Sequence, residues 1–343
     1  MINGKSIKFS ILDLSWIREG ETAKEALRDT LELAQHAERW GYHRFWLAEH
    51  HNMQGIASAA TSVAIGYVAS GTSTLRVGSG GIMLPNHSPL VIAEQFGTLA
   101  SIYGDRIDLG VGRAPGSDGT TMRALRRDVR HAADDFPADV EELQELLGPT
   151  RPGQVIHAIP GQNTNVPIYL LGSSDYSAHL AATLGLPFAF ASHFAPAFLH
   201  EALEIYREEF RPSAHFDRPY AMAAVNVAVA DTDQEAQRLF TSSQMGFLNM
   251  IRGQRLKLQP PIDSMDSIWS PLEKAKVEAM LTYAYVGARQ RVSEGIRQFL
   301  EATQVDELIV TSRIYDQSER LRSLELLAEV REMLQARPGA VTS

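Results

Sequence analysis

The chain has 343 residues, 44% hydrophobic and 21% charged, with a formal net charge of −9. That composition supports a large core, and the one basic cluster, RALRRDVRH at 123–131, is too short and too close to acidic residues to be a nucleic-acid surface. Cysteine is absent, which excludes disulfides, thiolate metal sites and a cysteine nucleophile and suits the reducing cytoplasm.

No apolar run nears the roughly 20 residues that span a bilayer. The opening MINGKSIKFSILD lacks a basic region followed by an apolar one, so neither a membrane partner nor a targeting signal is expected. Length alone allows either two domains or one barrel.

In chain order, the apolar run KFSILDL comes first, then a helical segment over 22–40 with Leu27, Leu31 and Ala34 at helical spacing. Thr22 and Glu25 form a T-x-x-E capping box, and Gly41 stands where a left-handed residue ends a helix. A second apolar run follows, so the first fifty residues read β-α-β. Further apolar or β-branched runs fall near 75–84, 106–112, 167–172, 187–192, 221–230 and 307–312, separated by helical patterns at 88–103, 136–148, 175–185 and 195–210. Eight strands alternating with helices predict an α/β fold, a closed (β/α)8 TIM barrel forming a single domain over 1–343. Residues 246–285 break the rhythm with three prolines and no strand pattern, and are expected to be a long insertion after strand seven, a lid on the catalytic face. The tail ARPGAVTS is expected to fray.

Catalytic groups in a barrel sit where strands end. Strand two ends in FWLAEHHNMQG, where Glu49, His50 and His51 are candidate catalytic residues. They read as metal ligands, as an acid/base group with its orienting partner, or as a structural strand end. Alternation puts His50 and His51 on opposite sides of an extended chain. The only further ligand candidates are Asp13 and His193, so no metal is expected. Strand three, LRVGSGGIMLPNHSP, carries Gly80 and Gly81 in mid-run, where glycine weakens a strand. A β-bulge explains them, and so does close approach of a flat ligand or a non-proline cis peptide.

Strand four ends in RIDLGVGRAPGSDG. Gly110, Gly112 and Gly116 have the wrong spacing for a dinucleotide fingerprint, and Pro115 interrupts any helix there. What remains is Arg113, which is either solvated or a phosphate ligand. Strand five gives PIYLLGSSDYSAHLA, in which Gly172, Ser173 and Ser174 open a helix whose N–H groups suit an anion, with Ser177 adding a hydroxyl. Ordinary N-capping by Ser174 explains the same residues. Strand six ends in ASHFAP, placing His193 on the same rim as a catalytic candidate or a core histidine.

Taken in order, WLAEHH, VGSGGIMLP, RIDLGVGRAPGSD, LLGSSDYSAHLA and YVGARQRVSEGI resemble the bacterial-luciferase-like flavin monooxygenases over nearly the whole chain. The resemblance implies a barrel that binds reduced FMN (FMNH2) from a separate flavin reductase and uses O2 to oxygenate a small-molecule substrate. It implies His50 as active-site acid/base, oriented by Glu49 or His51. It also implies a cis peptide at Gly80 and Gly81 that props the isoalloxazine ring, and a phosphate site of Arg113, Gly172, Ser173, Ser174 and Ser177. The insertion matches a mobile lid. The helix in ASAATSVAIGYVAS, residues 57–70, matches a homodimer seam filled by Val63 and Tyr67.

Two departures stand out. Gly112 occupies the position of luciferase's reactive cysteine, so light emission is not implied, and the acidic segment HAADDFPADVEEL offers no second phosphate-binding arginine. A deazaflavin-dependent dehydrogenase and a non-catalytic FMN-binding protein are the alternatives on the same fold. The complete strand-two histidines, phosphate turn and lid favour the enzyme.

Overall fold

The computed structural model describes residues 6–114, 119–125 and 135–335. Pro115, Gly116, most of the basic cluster, the start of the acidic segment and the tail 336–343 lie outside the described residues.

The strands are β1 (Lys8–Asp13), β2 (Arg44–Leu47), β3 (Arg76–Met83), β4 (Ile107–Gly112), β5 (Ile168–Gly172), β6 (Phe188–Phe190), β7 (Ala221–Ala230), β8 (Ala284–Ala288) and β9 (Glu307–Thr311). All pair in parallel. Eight of them close a barrel in the order β1, β2, β3, β4, β5, β6, β7, β9, with β9 returning to β1. The helices are α1 (Ala23–Arg39), α2 (Thr61–Ser70), α3 (Pro89–Tyr103), α4 (Gly119–Leu125), α5 (Phe136–Leu147), α6 (Asp175–Leu184), α7 (Leu199–Glu209), α8 (Asp233–Ile251), α9 (Pro271–Met280), α10 (Arg289–Thr303) and α11 (Gln317–Gln335). Among the described residues, no helix is long and apolar enough to cross a membrane.

The (β/α)8 barrel expected from the alternation is therefore the fold, and the eight apolar runs are its eight strands. α1 shows why the local reading works. Thr22 caps it, its backbone N–H donates to Glu25 Oε2 at 2.9 Å, and Gly41 takes φ +72° just beyond its end. Its buried stripe runs through Ala26, Thr30, Leu33, Ala34 and Ala37, the four-then-three spacing of a helix against a sheet, while Leu27 and Leu31 lie at the margin.

The insertion differs from the expectation. Residues 246–251 belong to α8, and 271–280 form α9 behind a Ser270–Glu273 capping box. Residues 284–288 are a ninth strand, paired with the outer half of β7 from Asn226 to Ala230. The inner half of β7 pairs with β9 instead. All three β8 residues before its glycine are only half-buried, and AYVGA is too short a run to announce a strand.

Inside the barrel, the lower layer is charged. Arg44 on β2 reaches across the lumen, donating from Nε to Glu307 Oε1 at 2.7 Å and from one terminal nitrogen to Glu307 Oε2 at 3.1 Å. Its other terminal nitrogen donates to Asp108 Oδ2 at 2.7 Å and to the Tyr169 hydroxyl at 2.9 Å. Arg76 and Trp46 also donate to Asp108, and Tyr220 donates to Glu307 at 2.6 Å. Burial alone would lower the Arg44 pKa, but the two carboxylates outweigh it and raise it well above the ordinary value. The apolar layer above comprises Leu12, Trp46, Ala189, Met222, Ala224 and Ile309.

Removing one partner of a buried ion pair costs about 3–5 kcal/mol, because the remaining charge is left uncompensated. Arg44→Met is therefore expected to lower unfolding free energy by about that amount, whereas Arg39→Met at an exposed helix end should stay within about 0.5 kcal/mol. Urea unfolding of the two variants beside the wild type checks the contrast, and equal midpoints would overturn it.

Candidate active site at the C-terminal rim of the barrel

Beyond β2 the three ionisable residues part company. Glu49 is buried, and its Oε1 accepts from His51 Nε2 at 2.6 Å and His87 Nε2 at 2.8 Å, while Oε2 accepts from the Met83 N–H at 3.0 Å. Burial pushes the Glu49 carboxyl up, but these hydrogen bonds outweigh it and hold its pKa below the ordinary value. The ligand-type atoms of Glu49, His51 and His87 lie within 4.8 Å of one another. Their chemistry is that of a carboxylate clamped by two imidazole donors, which ties the end of β2 to the end of β3.

His87, supplied by the turn after β3, was not among the sequence candidates. Asp13, which was, points elsewhere: its carboxylate accepts from Arg320 on α11 at 2.6 Å and from Thr30 on α1 at 2.7 Å. It braces the barrel wall from outside.

The charge of His50 acts on His193, at the end of β6. Burial first, then the positive charges of Arg313 and His50, push the His193 imidazole down to about 3, so it stays neutral near pH 7. Its Nδ1 is buried without a hydrogen-bond partner among the described residues. Asn226 Nδ2 donates to the His193 carbonyl at 2.6 Å and Ser192 Oγ to the Ala224 carbonyl at 2.6 Å, fixing this loop on β7. The opposite orientations that alternation gives His50 and His51 thus correspond to different neighbours.

In β3 both readings of the glycine pair coexist. The Gly80–Gly81 peptide is cis, and the pairing with β4 shifts register between Ser79 and Ile82. A Cβ on Gly80 would meet Leu12 Cδ1 at 2.7 Å, and one on Gly81 would meet the Gly110 carbonyl oxygen at 2.8 Å. Side chains are excluded by sterics alone. The result is a bare stretch of backbone between the histidines and β4.

Past β4, the exposed Arg113 guanidinium lies 3.8 Å from the Tyr176 ring centroid, on the first turn of α6. Ser174 occupies the N-cap position of α6, yet its side chain makes no capping hydrogen bond, so capping is not its use here. Ser177 is buried beneath the turn, its hydroxyl against the Gly172 backbone. A guanidinium, hydroxyls and a helix N-terminus make a donor set that fits a phosphate, and the bare Gly80–Gly81 backbone next to it fits a flat ring. The residues present therefore fit a flavin mononucleotide.

Opposite, the irregular part of the insertion, residues 252–270, is strapped across the loops after β1 and β2. Leu258 N–H donates to the Ile17 carbonyl at 3.0 Å, Glu19 N–H to the Leu258 carbonyl at 2.8 Å, and Lys257 Nζ to the Glu21 carbonyl at 2.6 Å. A second residue the sequence did not single out, Arg313 just past β9, lies between the loop after β1 and α8, 4.0 Å from the Trp16 ring centroid and 5.0 Å from that of Phe247.

The family model for luciferase-like monooxygenases matches residues 7–307. A protein of Escherichia coli (strain K12) named luciferase-like monooxygenase is 54% identical over 330 residues, covering 96% of this chain and 98% of its own. The crystal structure of apo-MsnO8 superposes with a TM-score of 0.85 at 36% identity, covering 95% of this chain and 98% of the other. The FMN complex of the oxygenating constituent of 3,6-diketocamphane monooxygenase from Pseudomonas putida shares the fold, with a TM-score of 0.72 at 19% identity, covering 97% and 99% of the two chains. The order of strands, the rim geometry and these matches agree: the chain belongs to the luciferase-like monooxygenase family.

Proposed function

We propose that this chain is the oxygenase of a flavin-dependent pair, using reduced FMN and O2 to oxygenate a small organic substrate, with the reduced flavin supplied by a separate reductase in the cytoplasm. The observation that carries the reading is the run of three neighbouring strand ends, β3 to β5, that offers a bare backbone shelf beside an anion-binding turn. The FMN complex of the Pseudomonas putida oxygenating constituent supports it by showing that this fold accepts FMN.

In this reading, Arg113, Ser173, Ser174 and the N–H groups at the start of α6 hold the phosphate, with Ser177 shaping the turn below. Gly80 and Gly81 bear the ring. When bound, reduced FMN supplies the two electrons that activate O2. His50 carries a proton on its imidazole nitrogen to and from the reacting centre, with the neutral His193 imidazole at the same rim. The Glu49 carboxylate, clamped by His51 and His87, fixes the loop on which His50 stands. Of the insertion expected over 246–285, the irregular part, 252–270, excludes water and moves to admit substrate.

A homodimer belongs to the same proposal. Val63 and Tyr67 on α2 are 72% and 43% exposed, and an apolar face of that kind is covered in a partner seam. Light scattering at micromolar concentration should give about twice the 37.8 kDa chain mass; a monomer would count against the seam.

Arg113→Ala should weaken FMN by about tenfold or more and leave riboflavin nearly unchanged, because only FMN loses a charge-assisted contact. Fluorescence titration of both flavins decides it, and equal losses would remove Arg113 from the phosphate site. His50→Ala should bind reduced FMN within a few fold of wild type. It should lose about 10²–10⁴ in coupled oxygenation, measured as O2 uptake minus released hydrogen peroxide across a panel of small thioethers, ketones and amines. A larger loss in His51→Ala would reassign the working imidazole. Turnover with a 5-deazaflavin and none with FMN would support the dehydrogenase alternative instead.

A further inference from the structure

Arg313 is a rim cation to which the proposed oxygenation gives no ligand, its only part there being the charge that helps keep His193 neutral. It follows β9, diametrically across the barrel from β4 and Arg113, since three strands lie between β9 and β4 in either direction. Among the described residues its guanidinium donates no hydrogen bond and forms no ion pair; it faces the rings of Trp16 and Phe247, and its charge acts on His193. Aromatic faces offset part of a cation's charge, but they accept none of the five N–H donors in the guanidinium plane.

Burial pushes Arg313 down to about 10, with no carboxylate to raise it. One further group there is unsatisfied. Trp16 Nε1, a donor only, is buried with no hydrogen-bond partner among the described residues. Packing is tight on the far side, where a Cβ on Gly246 would come within 2.3 Å of an Arg313 terminal nitrogen. A half-buried cation without a counter-charge, with an indole donor left over beside it, is open to pairing with an anion.

We propose that Arg313 is the substrate's anchor and that the substrate carries a carboxylate or sulfonate, which seats on this guanidinium with Trp16 Nε1 beside it. The assignment rests on the oxygenase reading and narrows its substrate class to small organic anions. It also gives the molecule two anion anchors on opposite sides of one mouth, one for the cofactor's phosphate and one for the substrate, so that the substrate's uncharged end faces the centre where His50 and His193 meet.

The test uses the full chain and calorimetric titration with hexanoate, hexane-1-sulfonate and the neutral hexanamide, with and without FMN. Wild type should bind the two anions at least about tenfold more tightly than the amide, and Arg313→Met should abolish the preference while binding FMN as wild type does. Arg313→Lys, which keeps the charge, should retain part of it and guards against a folding defect in the first variant. Equal affinities for acid and amide, a preference that survives in Arg313→Met, or no saturable anion binding below about 20 mM would overturn the proposal. Loss of FMN but not riboflavin in Arg313→Met would overturn it too, by making the group a phosphate ligand. Because the anion comparison is also run without flavin, a failure of wild type to bind FMN would sink the oxygenase reading separately.

Discussion

Arg44 joins opposite walls of the barrel. Its guanidinium is shared between Asp108 on β4 and Glu307 on β9, two strands that face each other across the lumen. A buried pair of this kind adds little net stability over apolar packing, but it is intolerant of displacement, because any shift leaves a charge without water or partner. Serine, tyrosine and a second arginine complete the layer. The lower third of the barrel is therefore closed by directional bonds, and the apolar layer of Leu12, Trp46, Met222 and Ile309 rests on it.

That floor determines what the other end can be. With the lumen filled from below, a ligand has access only at the C-terminal rim, and the strand ends meet it at heights set by their register on the layer beneath. β2 and β3 are further tied together by the Glu49 carboxylate, which holds two imidazoles and a backbone N–H from the neighbouring turn. Asp13, with Arg320 and Thr30, performs the corresponding task on the outside, fastening α11 and α1 to the end of β1. The rim residues thus stand on a scaffold in which charge pairs, rather than apolar packing alone, define position.

Much of this was legible in the sequence. Apolar runs at a steady interval gave the barrel, the T-x-x-E box gave the start of α1, and two glycines inside β3 announced a backbone that no side chain could share. Other features left no local mark. Arg44, Asp108 and Glu307 sit in strands where a charge reads as an outward-facing residue, and only closure of the sheet brings them together. His87 becomes a neighbour of Glu49 because β3 ends in a short turn that brings the chain back. Nothing next to Arg313 in the sequence shows that no carboxylate will pair with it. The strand AYVGA is short and half-exposed, and it exists because β7 outlasts its barrel partner.

That long β7 has a consequence for how the chain can be altered. Its outer half, from Asn226 to Ala230, has its backbone groups paired with β8, and β8 is the final piece of the same excursion that carries the strap. Trimming the excursion to simplify the barrel would uncover a fully buried, β-prone stretch, NVAVA, as an open edge. Open apolar edges recruit other chains. The cover and the wall are thus one topological unit, and shortening it would trade a ligand-shielding segment for an aggregation surface.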